Sequence, residues 1–485
     1  MSTDLRQLGE RPVVTVADVA RVVGGRVIGA DGVRLEGVTH DSGQVRPGWL
    51  FCAVVGERHD GGEFAAEAVR AGAVAVLTQR ELDLEVPQVL VRDARAAMAP
   101  AARVVHGDPA SALTLVGVTG TNGKTTVVEL LAQVLRADGA RVATIGTLSG
   151  TRTTPEATDL HQRLAEFRRE GFSHVVMEVS SHALEMHRVD GIVFDVAVFT
   201  NLGRDHLDFH GTQEAYFAAK ARLFEVDRCE RAVINTDDLH GRLLADTVEV
   251  PVEPCAVSEL TDLQLSAAGS GPNRGSRFTW RNQVVELPLS GRHNVSNALA
   301  AAESARLLGV DEPVVAAALG ALGTVPGRFE VLDSPPGAPT VVVDYAHTPD
   351  ALQNVLGAAA ELRGDDGQLV VVFGCGGDRD RGKRPLMGAV ATAGADGVVL
   401  TNDNPRSEDP QGIIDQVLTG CDDSVVVEPD RREAIARALH GRSSGDVVLI
   451  AGKGHEVGQV FADHTEEFDD RFVASELLHE MGGGS

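Results

Sequence analysis

Aromatic residues and cysteines are scarce: two tryptophans, two tyrosines and five cysteines in 485 residues. The cysteines, at 52, 229, 255, 375 and 421, form no paired motif and are odd in number. That excludes a disulfide framework and a thiolate metal cluster, and leaves reduced, structural thiols as the expectation. Long apolar runs are missing. Stretches such as Val341–Val343 and Val370–Phe373 are strand-sized, far short of the ~20 residues a membrane helix requires. The opening MSTDLRQLGERP lacks the basic-then-apolar order of a secretory signal, so the expected location is the cytoplasm. Basic charge is in deficit, with 44 Lys and Arg against 70 Asp and Glu, a net charge of −26. Broad binding to nucleic acid or to an anionic membrane is excluded by repulsion; a small polyanion in a locally basic pocket is not. Neither a fixed-period repeat nor a low-complexity tract is present.

What is present is alternation. The hydrophobic fraction, 43%, is that of a folded soluble chain, and the length suggests two to four domains. Three textures divide the chain. Residues 1–111 mix short strands and turns with a helical pattern, FAAEAVRAGA, and a strand, VAVLT. Residues 112–326 alternate short buried strands, Leu113–Val118, Val175–Val179, Val193–Phe199 and Arg231–Ile234, with longer helical segments. Residues 327–485 alternate again, through TVVVDYAH, QLVVVFGCGG, DGVVLTND and DVVLIAGKG, with Pro335–Pro339 as an internal loop. Both patterns predict parallel sheets covered by helices, an α/β fold.

The stretch GVTGTNGKTT, residues 117–126, lies between a strand and a helix whose apolar stripe runs through Val127, Leu130, Leu131, Val134 and Leu135, with Gly139 as its stop. Such a turn holds phosphate on backbone N–H groups and the helix dipole. Lys124 reaches the terminal phosphates and the Thr125 hydroxyl suits Mg²⁺. The strict phosphate-loop spacing fails by one place, because position 118 is valine. Two other strand ends carry ligand-type residues: Glu178 in VVMEVSSHALEMHRVDG, and Asn201, Arg204, Asp205, His206 and Asp208 in FTNLGRDHLDFHG. On an open α/β sheet these ends lie beside the loop, where a carboxylate and an imidazole could hold a cation next to a triphosphate.

TGTNGKTT, MEVSSHAL, FTNLGRDHLDFHGTQEAYFAAKARLF, GRHNVSNALAA, PGRFEVLD, DYAHTPDAL, GCGGDRDRGKRPLMG, DNPR and AGKGHE follow one another in the order of the Mur ligases. The chain resembles the diaminopimelate-adding type of that family from about Asp41 to Glu456. The resemblance implies an N-terminal α/β UDP-sugar domain (1–111), a central phosphate-loop ATPase domain (112–326) and a C-terminal Rossmann-like domain (327–485). It implies an ATP-dependent amide ligase of cytoplasmic peptidoglycan precursor synthesis. ATP would phosphorylate a carboxylate of UDP-MurNAc-L-Ala-D-Glu, and the amine of meso-diaminopimelate would attack the acyl phosphate. The implied partners are these small molecules, not nucleic acid or membrane, and the expected state is a monomer.

Site residues carry over from matching positions. Gly120, Thr121, Asn122, Gly123, Lys124, Thr125, Thr126, Asn294, Arg328, Asp344 and His347 would form the ATP site. Lys124, Glu178, His206 and Lys220 would be catalytic, with Thr125, Glu178, His206 and Lys220 around Mg²⁺. On spacing alone Lys220 reads as a solvated helix lysine; the resemblance implies a CO₂-derived carbamate on it, whose oxygens suit Mg²⁺. Phe217, Leu223 and Phe224 fall about one turn away and offer the apolar surround that favours the neutral amine. Ser42, Glu57, Arg58, His59, Thr153, Thr154, Ser180 and Arg188 would meet the UDP-sugar. Here the chain departs from the family pattern, with Gly43 for arginine, Met186 for glutamine, and a short 146–155 stretch. Arg379, Asp403, Asn404, Pro405, Arg406, Gly452 and Glu456 would receive diaminopimelate. Arg406 separates this type from lysine-adding relatives, since a guanidinium grips the extra carboxylate bidentately. The rival readings are a lysine-adding or other Mur ligase, a folylpolyglutamate or cyanophycin synthetase, and a non-catalytic phosphate-loop protein. The last gives Glu178, Lys220 and Asp403–Arg406 no purpose, and Lys-Thr at the glycine loop disfavours a dinucleotide dehydrogenase.

Overall fold

The computed structural model describes residues 13–56, 59–150, 152–266, 275–321, 323 and 325–482. Strands assemble where β-branched runs can be buried on both faces. In the central sheet the order is 252–255, 232–235, 196–199, 114–119, 174–178, 142–145, every pair parallel. Strand Thr114–Thr119 sits in its middle, and successive residues serve opposite cores. Val116 and Val118 join helices Lys124–Ala137 and Arg292–Leu307 on one face. Leu115 joins Leu160, Phe199 and Phe224 on the other. Helix Lys124–Ala137 ends one residue before Asp138, and Gly139 follows at φ +90°, so the expected stop is there.

The first sheet runs 26–28, 88–90, 73–78, 49–52, 37–39, parallel apart from its antiparallel edge strand Arg26–Ile28. The third runs 330–331, 340–344, 447–451, 369–373, 397–400, 426–427, again with one antiparallel edge. Both are α/β, the third as its alternation predicts and the first as the family resemblance implies. All five cysteines are free.

One element was not anticipated. Strands Gln264–Ser266, Gly275–Trp280 and Gln283–Leu287 form an antiparallel meander. Its inner residues Phe278, Trp280, Val285 and Leu287 cap the core around helix Arg292–Leu307, while Arg277 and Val284 face outward. Arg281 and Asn282 at its tight turn are both at positive φ (45° and 64°), the geometry of a two-residue hairpin turn.

The carboxyl ends of the central strands and those of the third sheet open on one cavity of about 1030 Å³. The third sheet's side of that cavity rests on a fully buried ion pair. Arg431 donates through Nε and Nη2 to the two Asp470 oxygens, both at 2.7 Å, and also to the carbonyls of Asn402 and Ala451 at 3.2 and 3.0 Å. Neither partner is solvent-accessible. Asp470→Ala is expected to strand the guanidinium and lower the stability of this unit by about 3–5 kcal/mol. Differential scanning calorimetry should show its transition moving down, and Asp470→Asn, which keeps a hydrogen-bond acceptor, should lose less.

Candidate active site

The loop after strand Thr114–Thr119 needs glycine twice. Gly120 lies at φ +150°, and a Cβ there would sit 1.9 Å from the Thr200 hydroxyl. Gly123 lies at φ +87°, and a Cβ would sit 2.3 Å from Asn297 Oδ1. The rest of the loop is pinned by backbone and side-chain bonds. Thr121 N–H donates to the Asn201 carbonyl at 2.9 Å, and Asn122 N–H to Asn201 Oδ1 at 3.0 Å. Lys124 begins the helix, and its ammonium folds back to donate to the Gly120 and Thr121 carbonyls, both at 2.9 Å. Thr125 and Thr126 are buried in its first turn.

Beside the loop stands Glu178, which ends its strand level with Val118 and is 1% exposed. One of its oxygens accepts from the Thr125 hydroxyl at 2.9 Å and from Thr147 N–H at 2.8 Å. Arg328, from the third region, donates to the same Thr125 hydroxyl at 2.8 Å and stacks 4.3 Å over the Tyr345 ring. Asp344 is buried and caps two backbone N–H groups, Phe329 and Ala346, both at 2.7 Å; burial raises its pKa. Asn294 is buried and donates to the Ser290 carbonyl at 2.9 Å.

Lys220 is 1% exposed, not solvated. Its Nζ donates to the Gly120 carbonyl at 2.9 Å and lies 4.5 Å over the Tyr216 ring, with Leu223 and Phe224 buried nearby. Burial, then the Lys124 charge, pushes its pKa well below the usual amine range, against the pull of Asp205. Tyr216, unrecognised from the sequence, also bonds Thr121 Oγ1 at 3.1 Å. His206 takes a left-handed backbone, φ +54°. Burial holds its pKa down to about 3 and that of His182, 4.7 Å away ring to ring, to about 4. Both imidazoles are therefore neutral at pH 7. Among the described residues no three His, Cys, Asp or Glu side chains converge as a metal group. The donors near the loop are mixed: a hydroxyl, a carboxylate, a neutral imidazole and a buried lysine amine.

Asp205 was read from the sequence only as one ligand-type residue at a strand end. It is 4% exposed and contacts Lys383 Nζ at 3.4 Å and His347 Nε2 at 3.5 Å, both from the third region. Lys383, itself 3% exposed, was not singled out.

The opposite wall comes from strand ends of the third sheet. Asn404 donates to Glu456 Oε2 at 2.8 Å and accepts from Lys453 Nζ at 3.1 Å. Gly452, at φ +115°, brings its backbone where a Cβ would meet Asp403 Oδ2 at 2.5 Å. Pro405 is buried. Arg406, at φ +53°, donates to the Gly377 carbonyl at 2.8 Å and forms no ion pair among the described residues. Burial and the Arg379 charge lower its pKa, against Asp403 and Glu456. Two guanidiniums and two carboxylates thus share one wall.

Thr153, Thr154, Ser180 and Arg188 line the near end of the cavity. Thr154 Oγ1 donates to the Glu178 carbonyl at 2.9 Å, and Arg188 pairs with Glu156 at 2.7 Å. Ser42 and His59 do not line it. Ser42 opens a short 3₁₀ turn capped by Asp41, and His59 is exposed beside Phe64. Glu57 and Arg58 lie outside the described residues. At the departures from pattern, Gly43 N–H donates to Asp41 at 2.9 Å and Met186 closes a short helix, Ser181–Glu185.

Fold and site define a phosphate-loop α/β protein whose cavity is completed by a second sheet. Residues 34–115 match the Mur ligase family catalytic domain, 118–305 the Mur ligase middle domain, and 327–454 the Mur ligase glutamate ligase domain. The chain belongs to the Mur ligase family. A UDP-N-acetylmuramoyl-L-alanyl-D-glutamate–2,6-diaminopimelate ligase of Solibacter usitatus is 47% identical, over 92% of this chain and 94% of the relative. One of Syntrophomonas wolfei is 42% identical over the same shares. A solved structure of a ligase so named superposes with TM-score 0.67 at 34% identity, covering 97% of this chain and 99% of that one. The ADP complex of the MurF ligase from Thermotoga maritima shares the fold, at TM-score 0.64 and 24% identity, over 92% of this chain and 96% of that one.

Gly123→Ala should cost about 1–3 kcal/mol, because the residue is held at positive φ and its methyl meets Asn297. Thermal unfolding of Gly123→Ala with Asn297→Ala should recover only the part due to overlap. Full recovery would remove backbone strain from the account.

Proposed function

We propose that this ligase couples ATP hydrolysis to joining diaminopimelate to UDP-MurNAc-L-Ala-D-Glu. The observation that carries the reading is the wall of Arg379, Arg406, Asp403 and Glu456 on the same cavity as the phosphate loop. Alternating cations and anions suit the far end of diaminopimelate, a carboxylate beside an ammonium. Lysine lacks that carboxylate, and its ammonium alone would leave the guanidiniums unpaired. Relatives 40–47% identical carry this ligase name, which supports it.

The chemistry asks for charge neutralisation and positioning. A substrate carboxylate attacks the γ-phosphorus, ADP leaves, and the amine then attacks the acyl carbon and expels phosphate. Gly120–Thr126 and Lys124 would cradle the triphosphate at the helix N-terminus. Arg328, already bonded to Thr125, would add a cation from the third region. Asn294 would lie by the adenine, with Asp344 and His347 completing the nucleotide site. Thr153, Thr154, Ser180 and Arg188 would hold the sugar-nucleotide, with Ser42, Glu57, Arg58 and His59 toward the uridine.

The donor set fits Mg²⁺: Thr125 hydroxyl, Glu178 carboxylate and His206 imidazole, the last kept neutral with a pKa of about 3. Lys220 would complete it as a carbamate, since burial lowers its pKa and so favours the neutral form, which takes up CO₂ with release of a proton. Bound there, Mg²⁺ would neutralise phosphate charge. Contacts of the third region with the loop, Arg328 to Thr125, and with the neighbouring strand end, Lys383 to Asp205, would keep water from the acyl phosphate.

The test offers purified protein ATP, Mg²⁺ and UDP-MurNAc-dipeptide with diaminopimelate or lysine. ADP release and tripeptide product should depend on diaminopimelate; preference for lysine would overturn the assignment. Arg406→Ala should lose at least about tenfold in kcat/KM for diaminopimelate, from a charge-assisted pair of roughly 1.5–3 kcal/mol, with KM for ATP unchanged. Arg406→Lys should also be poor, for lack of the planar fork.

Lys220→Ala should be nearly inactive and partly rescued by short carboxylates that replace the carbamate oxygens. Normal activity without them would remove the carbamate from the mechanism.

A further inference from the structure

Arg406 does not choose its own position. Its backbone is at positive φ, and its guanidinium reaches across to the Gly377 carbonyl. Its presentation therefore depends on how the loop after strand Leu369–Phe373 is set against the loop after Gly397–Leu400. Those two loops are joined from below. Arg384, in the first turn of helix Lys383–Gly394, has no solvent-accessible side-chain surface. Its fork donates to both Glu408 oxygens, at 2.9 and 3.1 Å, to the Gly376 carbonyl at 3.1 Å and to Gln416 Oε1 at 2.8 Å. Glu408 Oε1 also accepts Asp378 N–H at 2.7 Å. Above the pair, Gly377 N–H donates to the Asn404 carbonyl at 2.9 Å, and a Cβ on Gly377 would sit 1.8 Å from the Pro405 carbonyl.

We infer that the Arg384–Glu408 ion pair is the positioning element that fixes Arg406, and with it selection for an amino acid bearing a second carboxylate. The inference rests on the ligase reading above. Neither residue lines the cavity, so neither touches substrate. Burying a charge pair is a poor source of net stability compared with apolar packing, whereas a bidentate fork is an accurate way to hold two loops in register. Glu408 is the sole carboxylate paired with Arg384 among the described residues. Breaking the pair leaves Glu408 only the exposed guanidinium of Arg381, at 3.1 Å, and loosens the 403–408 loop, while the phosphate loop belongs to the other sheet and keeps its own contacts.

The test compares the full-length protein with Glu408→Gln and Arg384→Lys. KM for diaminopimelate should rise about tenfold or more, as expected for a misplaced binding group. KM for ATP and for the UDP-dipeptide should stay within about twofold, and Glu408→Asp should recover part of the loss. In an Arg406→Ala background Glu408→Gln should cost little further, because the pair acts through Arg406. Additive losses, or equal losses for all three substrates, would overturn the inference. If the parent enzyme does not use diaminopimelate, the ligase reading fails by itself. The inference is then decided by a crystal structure of Glu408→Gln: Arg406 still bonded to Gly377 would sink it, and a displaced 403–408 loop would uphold it. Should Glu408→Gln fail to fold, Arg384→Lys carries the same comparison.

Discussion

A buried carboxylate organises this molecule. Asp205 stands at the end of a central strand with almost no solvent, where an isolated charge would be prohibitive. Burial alone would raise its pKa, yet Lys383, His347 and His206 hold it well below the usual range. Two of those three partners belong to the third region. The central sheet therefore carries a charge whose cationic partner, Lys383, comes from the third sheet's side, and this contact joins the two walls of the cavity.

From this contact the rest of the site follows. With Lys383 on Asp205, Arg328 falls within bonding distance of Thr125, and Thr125 bonds Glu178. The relay runs from one sheet to the other through a single hydroxyl. On the far wall the same docking turns the ends of strands Gly397–Leu400 and Val447–Ala451 toward the phosphate loop. A phosphate-binding turn and a zwitterion-binding wall then face each other. That separation of tasks is what an amide ligase requires, since the carboxylate must be activated at one end and the amine delivered from the other. Neither sheet holds both functions.

Lys220 illustrates how environment overrides residue type. A helix lysine in YFAAKARLF has no local reason to be buried. It is buried because Tyr216 and Phe224 pack around it, and its Nζ shares the Gly120 carbonyl with Lys124. The result is an amine whose pKa burial pushes well below the usual range, next to a phosphate loop. His206 is lowered by the same means, to about 3, so its imidazole adds a lone pair beside the loop and not a charge.

Much was legible in the sequence because it is local. Alternating β-branched runs and helical stripes dictate parallel sheets, and GVTGTNGKTT between a strand and a helix dictates a phosphate loop whose glycines admit no side chain. The motif order dictates the family. The antiparallel meander 264–287 was not legible, because its strands are short and its turn, Arg281-Asn282, lacks the glycine that marks a hairpin. Nor were Asp205 and Lys383, Tyr216 and Lys220, or Arg384 and Glu408 as pairs. Their members lie 178, 4 and 24 residues apart, and except within one helical turn no periodicity links them. Which charges meet, and which amine loses its proton, depends on burial and distance, and only the packed sheets decide both.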